Sequence, residues 1–532
     1  MPSDSAHTSR ATATQSVTPH STRRAFLRGA GLAGSSALLA QLGVRPASAQ
    51  TSSGPSYLKS KDTNDDLAFM SATKIAGLIR DKKVSAVEAV TANYARIDAV
   101  NPKINAVVQF CRERAMAEAK AADQSLASGK LLGPLHGVPM TIKDSIDTAG
   151  VISTAGTVGR MNFIPEKDAT TVARLRAAGA ILLGKTNTPE WTLAGGGIPG
   201  VSTTANIVYG ITKNPYDTTR STAGSSGGAG AIVAAGGSAF DIGTDWGGSV
   251  RGPAHNNGIA GIKPTFGRVP RTGHIVGFGG YLDNWQELGP MARRVEDLSL
   301  LMPIVAGPDF TDCSQYPMPW KTTPIEISKL RVAFFPTNGL AETTPETQDM
   351  VKACAKYFAD AGAQVTEDCP KDIILELEEI RFKFMGACGW SYLERLAEKW
   401  GTKAVSPTVV ARYKQGMTST AELIELWEKQ DANKVRFLQW IKDYDIVLCP
   451  TAGKPAMPIN LGTAGTTWKP GSSYMGMFNT TGYPSAVVRA ATSPEKLPLG
   501  IMVTGQPWRD EIVLAACDFI ESKTGGWQKP AI

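Results

Sequence analysis

Residues 223–264 confine this chain more tightly than any other stretch: AGSSGGAGAIVAAGGSAFDIGTDWGGSVRGPAHNNGIAGIKP. Two serines, Ser225 and Ser249, sit in runs of glycine, where backbone amides approach a neighbour with no Cβ in the way. A flexible linker would be polar and low in complexity. Here residues 229–235 are small and apolar, suited to a tightly packed helix, and residues 238–243 read as the entry to a strand or tight turn. Hydroxyls beside bare N–H groups are the parts that acyl transfer needs, a nucleophile and donors for the oxyanion. The stretch points to a hydrolase.

The flanks argue an α/β fold. Ser71 is placed to cap a first helix with Ile75, Leu78 and Ile79 on one face, and Ser85 a second with Val87, Val90, Tyr94 and Ile97 at helical spacing. The helical pattern runs over residues 67–108 and resumes over 112–127. Strands at 138–142 and 180–183 alternate with a helix at 169–178, and further strands are predicted at 330–335, 445–449 and 499–504. Residues 370–442 read as mainly helical, with Leu377, Ile380, Phe384 and Cys388 on one face. No internal repeat or linker divides residues 67–532, so one α/β domain is expected: a mixed central sheet surrounded by helices, with 370–442 as a helical insertion shaping the substrate site.

The N-terminal end reads as an address. Thr22-Arg23-Arg24-Ala25-Phe26-Leu27-Arg28 is a twin-arginine pattern, followed by a weakly apolar run at 29–44 and Ala47-Ser48-Ala49 before Gln50. Residues 1–49 are expected to be an export signal, placing the mature chain in the periplasm or outside the cell, and 50–66 a disordered lead-in. The apolar run is too short for a membrane span. Without residues 1–49, which hold five arginines and one aspartate, the formal charge falls from +7 to about +3, which argues against nucleic acid as a partner. Seven scattered cysteines without a C-x-x-C pair suggest buried thiols. Three histidines follow residue 49, without metal-ligand spacing, so neither metal nor other cofactor is expected.

Two motifs imitate other chemistries. Residues 179–186 match G-x-x-x-x-G-K-T, but the four intervening residues are themselves the strand, and Asn187-Thr188-Pro189 follows where a helix should open. Nucleotide binding is rejected. Gly224-Ser225-Ser226-Gly227-Gly228 satisfies G-x-S-x-G, the nucleophile elbow. That reading needs a later acid and histidine, and His255 and His274 both follow closely; Ser226 as nucleophile stays as the runner-up.

Lys143 closes the short apolar strand in Gly133-Pro-Leu-His-Gly-Val-Pro-Met-Thr-Ile-Lys143-Asp144. With the serine stretch it resembles the amidase signature family, whose catalytic set is Ser–cis-Ser–Lys. The resemblance takes in Gly184-Lys-Thr-Asn-Thr-Pro-Glu190, Asn214-Pro-Tyr216, Gly289-Pro-Met-Ala-Arg293 and Phe478-Asn-Thr-Thr-Gly-Tyr-Pro484. It implies Ser249 as nucleophile, Ser225 as the cis-serine after a cis Gly224–Ser225 peptide, and Lys143 as base. It further implies an oxyanion hole from the N–H groups of Trp246, Gly247, Gly248 and Ser249. Gly224, Asp245 and Arg251 would support the loop, and Ser226, His255 and His274 would stand outside the chemistry. Departures from the family pattern are Ala223 ahead of Gly224, Trp246 in a position usually small or aliphatic, the polar Asn256 and Asn257, and Val488-Arg489-Ala490-Ala491. Trp246 is open between an aromatic pocket wall and ordinary packing.

The function expected is hydrolysis of a carboxamide C–N bond through an acyl-enzyme, on a small-molecule or peptide substrate, by a monomer or homodimer. A carbamate or ester hydrolase, of urethanase or aryl-acylamidase type, is the alternative on the same site. An amidotransferase subunit fits an export signal poorly, and a non-catalytic binding protein would be expected to lose one of the three catalytic residues.

Overall fold

Ser71 and Ser85 cap helices as their positions predict: each side chain accepts an N–H of the first turn, and Ser85 with Glu88 completes a capping box. The computed structural model describes residues 59–193, 198, 200–275, 285–321, 324–387, 391–405, 410, 418–460 and 473–532. The expected export signal and Cys388 lie outside these residues, as do parts of residues 191–205 and 274–285, which the sequence pairs with 370–442 as expected pocket segments. Part of the expected disordered lead-in is ordered. Ser60 Oγ and the Lys61 N–H donate to Glu296 at 2.6 and 2.7 Å, and Asp62 accepts from the Ser71 N–H. These polar side chains are held because carboxylates and helix-end donors meet them.

The strands are β1 (Val107–Phe110), β2 (Pro139–Lys143), β3 (Ile181–Thr186), β4 (Ala205–Asn206), β5 (Gly210–Ile211), β6 (Phe240–Asp245), β7 (Ala260–Lys263), β8 (Glu287–Ala292), β9 (Arg331–Phe334), β10 (Gln364–Glu367), β11 (Ile446–Pro450), β12 (Ser485–Thr492) and β13 (Pro498–Gly505). Eleven of them form one mixed sheet in the order β1-β3-β2-β6-β8-β7-β12-β13-β11-β9-β10, while β4 and β5 pair separately. The interior strands β2, β3, β6, β8 and β13 are buried along their whole length, as strands covered on both faces must be.

The helices are α1 (Ala72–Arg80), α2 (Ala86–Ile104), α3 (Arg112–Ala127), α4 (Thr170–Ala177), α5 (Gly227–Ala234), α6 (Arg251–Asn256), α7 (Val295–Val305), α8 (Pro345–Asp360), α9 (Lys371–Ala387), α10 (Ser391–Lys399), α11 (Thr420–Ile441), α12 (Gly476–Thr480) and α13 (Asp510–Thr524). Helices α5, α6, α7, α8 and α13 pack on the sheet. Among the described residues, no helix is long and apolar enough to cross a membrane.

The sequence extends helix to residue 108, and here the structure differs. Asn105 takes a left-handed φ of 49° and ends α2, and the Asn101 side chain accepts the N–H groups of Ala106 and Val107. The chain turns and residues 107–110 become β1, antiparallel to β3. The P-loop look-alike is a strand, as its residues require. Lys185 lies buried in β3 and donates to Ile146 O, Thr148 Oγ1 and Ser153 Oγ.

Two features position the site. Strands β2 and β6 run parallel as neighbours, with Met140 paired to Phe240, so Lys143 and Thr244 emerge at one end of the sheet. Helix α5, read from its small residues, is wholly buried, and a Cβ at Gly228 would overlap the Asn187 backbone. That close approach seats Ser225 and Ser226, just ahead of α5, over the ends of β2 and β6.

Candidate active site

Lys143 is fully buried, and its Nζ donates to three hydroxyls: Ser225 Oγ at 2.6 Å, Thr244 Oγ1 at 2.7 Å and Ser226 Oγ at 3.0 Å. Among the described residues, no carboxylate forms an ion pair with it. Burial holds its ammonium well below the ordinary lysine value, against the more distant charges of Asp245 and Asp241. Asp241 is itself buried and pushed up to about 7, although Thr141 and Thr186 donate to it at 2.6 and 3.0 Å. A lysine so placed is poised to stay neutral and accept a proton.

The Gly224–Ser225 peptide is cis, as the resemblance implies. The two adjacent serines have different surroundings. Ser226 is buried and its Oγ accepts from the Thr244 N–H at 3.2 Å as well as from Lys143. Ser249 is partly exposed, and its Oγ has no hydrogen-bond partner among the described residues. Its carbonyl accepts the Ser226 N–H at 3.2 Å, which ties the loop bearing Ser249 to the Ser225–Ser226 turn.

Asp245 organises that loop. Its carboxylate receives Arg251 Nε and Nη2 at 3.0 Å each, the Gly248 N–H at 2.7 Å and the Val250 N–H at 3.1 Å. Asn479 Nδ2 adds a bond at 2.9 Å and also donates to Trp285 O. Burial works to raise the Asp245 carboxyl, and Arg251, Asn479 and Gly248 outweigh it, holding it well below the carboxylate range. The Gly248 bond corrects the expected oxyanion hole: that N–H is committed to Asp245. The Gly247 and Ser249 N–H groups have no acceptor among the described residues.

The three histidines after residue 49 are structural. His255 Nδ1 accepts the Gly500 N–H at 3.0 Å, leaving Nε2 to donate to Lys454 O. His274 bridges Gln286 and Ser145, and His136 bridges the Leu132 N–H and Ala122 O. Burial holds all three below the ordinary imidazole value. Asn256 and Asn257 gain an explanation: they donate to the carbonyls of Ser221 and Thr222, fixing the approach to Ser225.

The residues around the site that sequence reasoning left without roles are Thr244, Asn479, Glu378 and Arg381. Asn479 lies in the Phe478–Pro484 motif, and Glu378 and Arg381 are a charged pair inside the apolar face of α9, which was the available signal. Trp246 packs on Trp285, ring centroids 5.4 Å apart, and Trp285 on Phe384 at 5.7 Å. With Ile380 and Leu426 they form an apolar cluster beside the loop.

The Amidase family profile matches residues 88–514. An acylamidase of Rhodococcus erythropolis is 33% identical over 490 residues, covering 88% of this chain and 98% of its own. A glutamyl-tRNA(Gln) amidotransferase subunit of Chloroflexus aurantiacus (strain ATCC 29366 / DSM 635 / J-10-fl) is 32% identical over 499 residues, covering 86% and 97%. Among solved structures, a fatty acid amide hydrolase superposes with a TM-score of 0.77 at 25% identity, covering 86% of each chain. With a family match over most of its length and a fold that superposes on a fatty acid amide hydrolase, this chain belongs to the amidase signature family and is a hydrolase of amide C–N bonds.

Proposed function

We propose that the chain hydrolyses amides through an acyl-enzyme on Ser249, with Ser225 as proton relay and Lys143 as base. The observation that carries the reading is the buried Lys143 Nζ among three hydroxyls, 2.6 Å from Ser225 Oγ. Neutral Lys143 takes the Ser225 proton while Ser225 takes that of Ser249, and Ser249 Oγ bonds to the carbonyl carbon. The carbonyl π electrons move onto oxygen, which meets the N–H groups of Gly247 and Ser249; one such donor is worth about 3 kcal/mol in other enzymes. The intermediate collapses as the C–N bond breaks and the relay returns the proton to nitrogen. Water then attacks the acyl-enzyme by the same path, releasing the acid and restoring Ser249.

The apolar cluster of Trp246, Trp285 and Phe384 beside the loop supports a substrate with an aryl or bulky apolar group next to the scissile bond. The twin-arginine pattern at residues 22–28 supports export, and with it an external substrate and a periplasmic or extracellular site of action. The test is a panel of aryl amides, alkyl amides, peptide amides and carbamates, with Ser249→Ala, Ser225→Ala and Ser226→Ala assayed beside the parent. Aryl amides turned over best, with activity lost in Ser249→Ala and kept in Ser226→Ala, is the expected result. Loss in Ser226→Ala with activity kept in Ser249→Ala would transfer the nucleophile to the elbow serine.

A further inference from the structure

Helix α9 carries a charged pair where its spacing calls for apolar residues. Leu377, Ile380 and Phe384 are buried on it, and so are Glu378 and Arg381, 3.6 Å apart between carboxylate and guanidinium. Both charges lie within the protein, where desolvation offsets much of a pair's attraction, so stability alone is a weak reason for keeping them.

The pair fills the space between two glycines. A Cβ at Gly247 would overlap Arg381 Nη2, and a Cβ at Gly476, in the first turn of α12, would overlap Glu378 Oε1. The guanidinium also lies over the Trp246 ring, 5.5 Å from its centroid. Arg381 therefore touches two consecutive residues of the loop that presents the oxyanion donors, and Glu378 holds it against α12. Next to α12 in the chain, Met475 packs on Gly248 and its carbonyl accepts Arg251 Nη1 at 3.0 Å. The loop is thus held at Trp246, Gly247 and Gly248.

We propose that Arg381, held by Glu378, is a positioning residue for the oxyanion loop: its guanidinium fixes Trp246 and Gly247 and places a positive charge behind the donors. This rests on the assignment of Ser249 and the Gly247 N–H given above. A cation in a water-poor surrounding stabilises a negative oxygen that forms in the transition state more than the neutral carbonyl that precedes it. Burial pushes the Glu378 carboxyl up, against the opposing pull of Arg381 and Arg251. The helical insertion then serves the chemistry as well as the pocket.

The test compares Arg381→Met, Arg381→Lys and the Glu378→Gln/Arg381→Met double variant, the last removing both charges so that no lone buried carboxylate threatens folding. Steady-state kinetics on a good amide substrate are read beside the affinity of a matching trifluoromethyl ketone, which binds as a tetrahedral alkoxide. In both Met variants we expect kcat to fall ten- to a hundredfold with KM within about threefold, the ketone affinity falling in parallel with kcat/KM and Lys intermediate. Unchanged kcat in the folded double variant, or a rise in KM alone, would overturn the proposal. Fluorophosphonate labelling of the parent, located by mass spectrometry, separates the two readings. An adduct on Ser249 with unchanged kcat in the Met variants defeats only the role of Arg381, whereas an adduct on another residue defeats the assignment beneath it.

Discussion

Lys143 Nζ stands 2.6 Å from Ser225 Oγ, with Thr244 Oγ1 on the same nitrogen at 2.7 Å. Hydroxyls solvate an ammonium and an amine alike, whereas a carboxylate would fix the charge. The site thus lowers the basicity of a lysine by burial without giving it a counter-ion.

Replacing that lysine tests the point directly. Lys143→Arg keeps the positive charge but supplies a group that stays protonated. We expect Lys143→Arg and Lys143→Ala each to lose about 10²–10⁴-fold in kcat/KM. Arg within tenfold of the parent would show that the charge, not proton acceptance, matters.

The same depression fixes the sign of the pH profile. The base works unprotonated, so activity is present above the Lys143 pKa and lost as pH falls through it; burial moves that limb well below the ordinary lysine range. kcat/KM measured from about pH 5 to about pH 10 should rise to a plateau before the alkaline region. A profile still climbing near the free-lysine value of about 10.4 would refute it.

Ser249 on the loop and Ser226, whose N–H donates to the Ser249 carbonyl, should separate by type of damage. Ser249→Ala is expected to cut kcat at least about 10³-fold with little change in melting temperature. Ser226→Ala, which abandons bonds to Lys143 and the Thr244 N–H, should cost about 1–2 kcal/mol of stability and less than tenfold in kcat. Thermal melts beside initial rates decide it.

Asp245 and Arg251 predict an acid limb of stability. The folded carboxyl is held well below its unfolded value of about 3.9, so its contribution is complete above that value and disappears as pH falls through the folded pKa. Asp245→Asn leaves a buried arginine without its counter-ion and should cost about 3–5 kcal/mol at neutral pH, with a flatter melting-temperature profile between about pH 5 and about pH 2. An equally steep profile in the variant would assign the acid limb to other carboxylates.

Gly248 has φ of 107°, and a Cβ there would stand 2.6 Å from Met475 Sδ. Gly248→Ala is expected to lose about 1–3 kcal/mol of stability and to lower kcat more than it raises KM. Unchanged kinetics would mean that the turn at Gly248 does not set the neighbouring donors.

Much of the site was legible because it is local or marked by residue type. The Gly/Ser stretch, the Lys143 strand and the caps at Ser71 and Ser85 each carry their chemistry within a few residues. Helix α5 was readable because only small side chains allow its approach to Asn187. The strand at 107–110 was not, since its conformation follows from a left-handed Asn105 and pairing to β3, a partner remote in sequence.

The sequence by itself determined the α/β class, the Lys143 and Ser225 pairing through family resemblance, and the rejection of a phosphate loop at Lys185. Only the tertiary structure decided that the Gly248 N–H belongs to Asp245, that Asn256 and Asn257 brace the turn, and that Arg381 lies against Gly247 with Glu378 against Gly476. Those facts depend on which strand ends and helix faces meet, and a hydrogen bond or buried charge is set by its distant neighbours in space, which residue order alone does not encode.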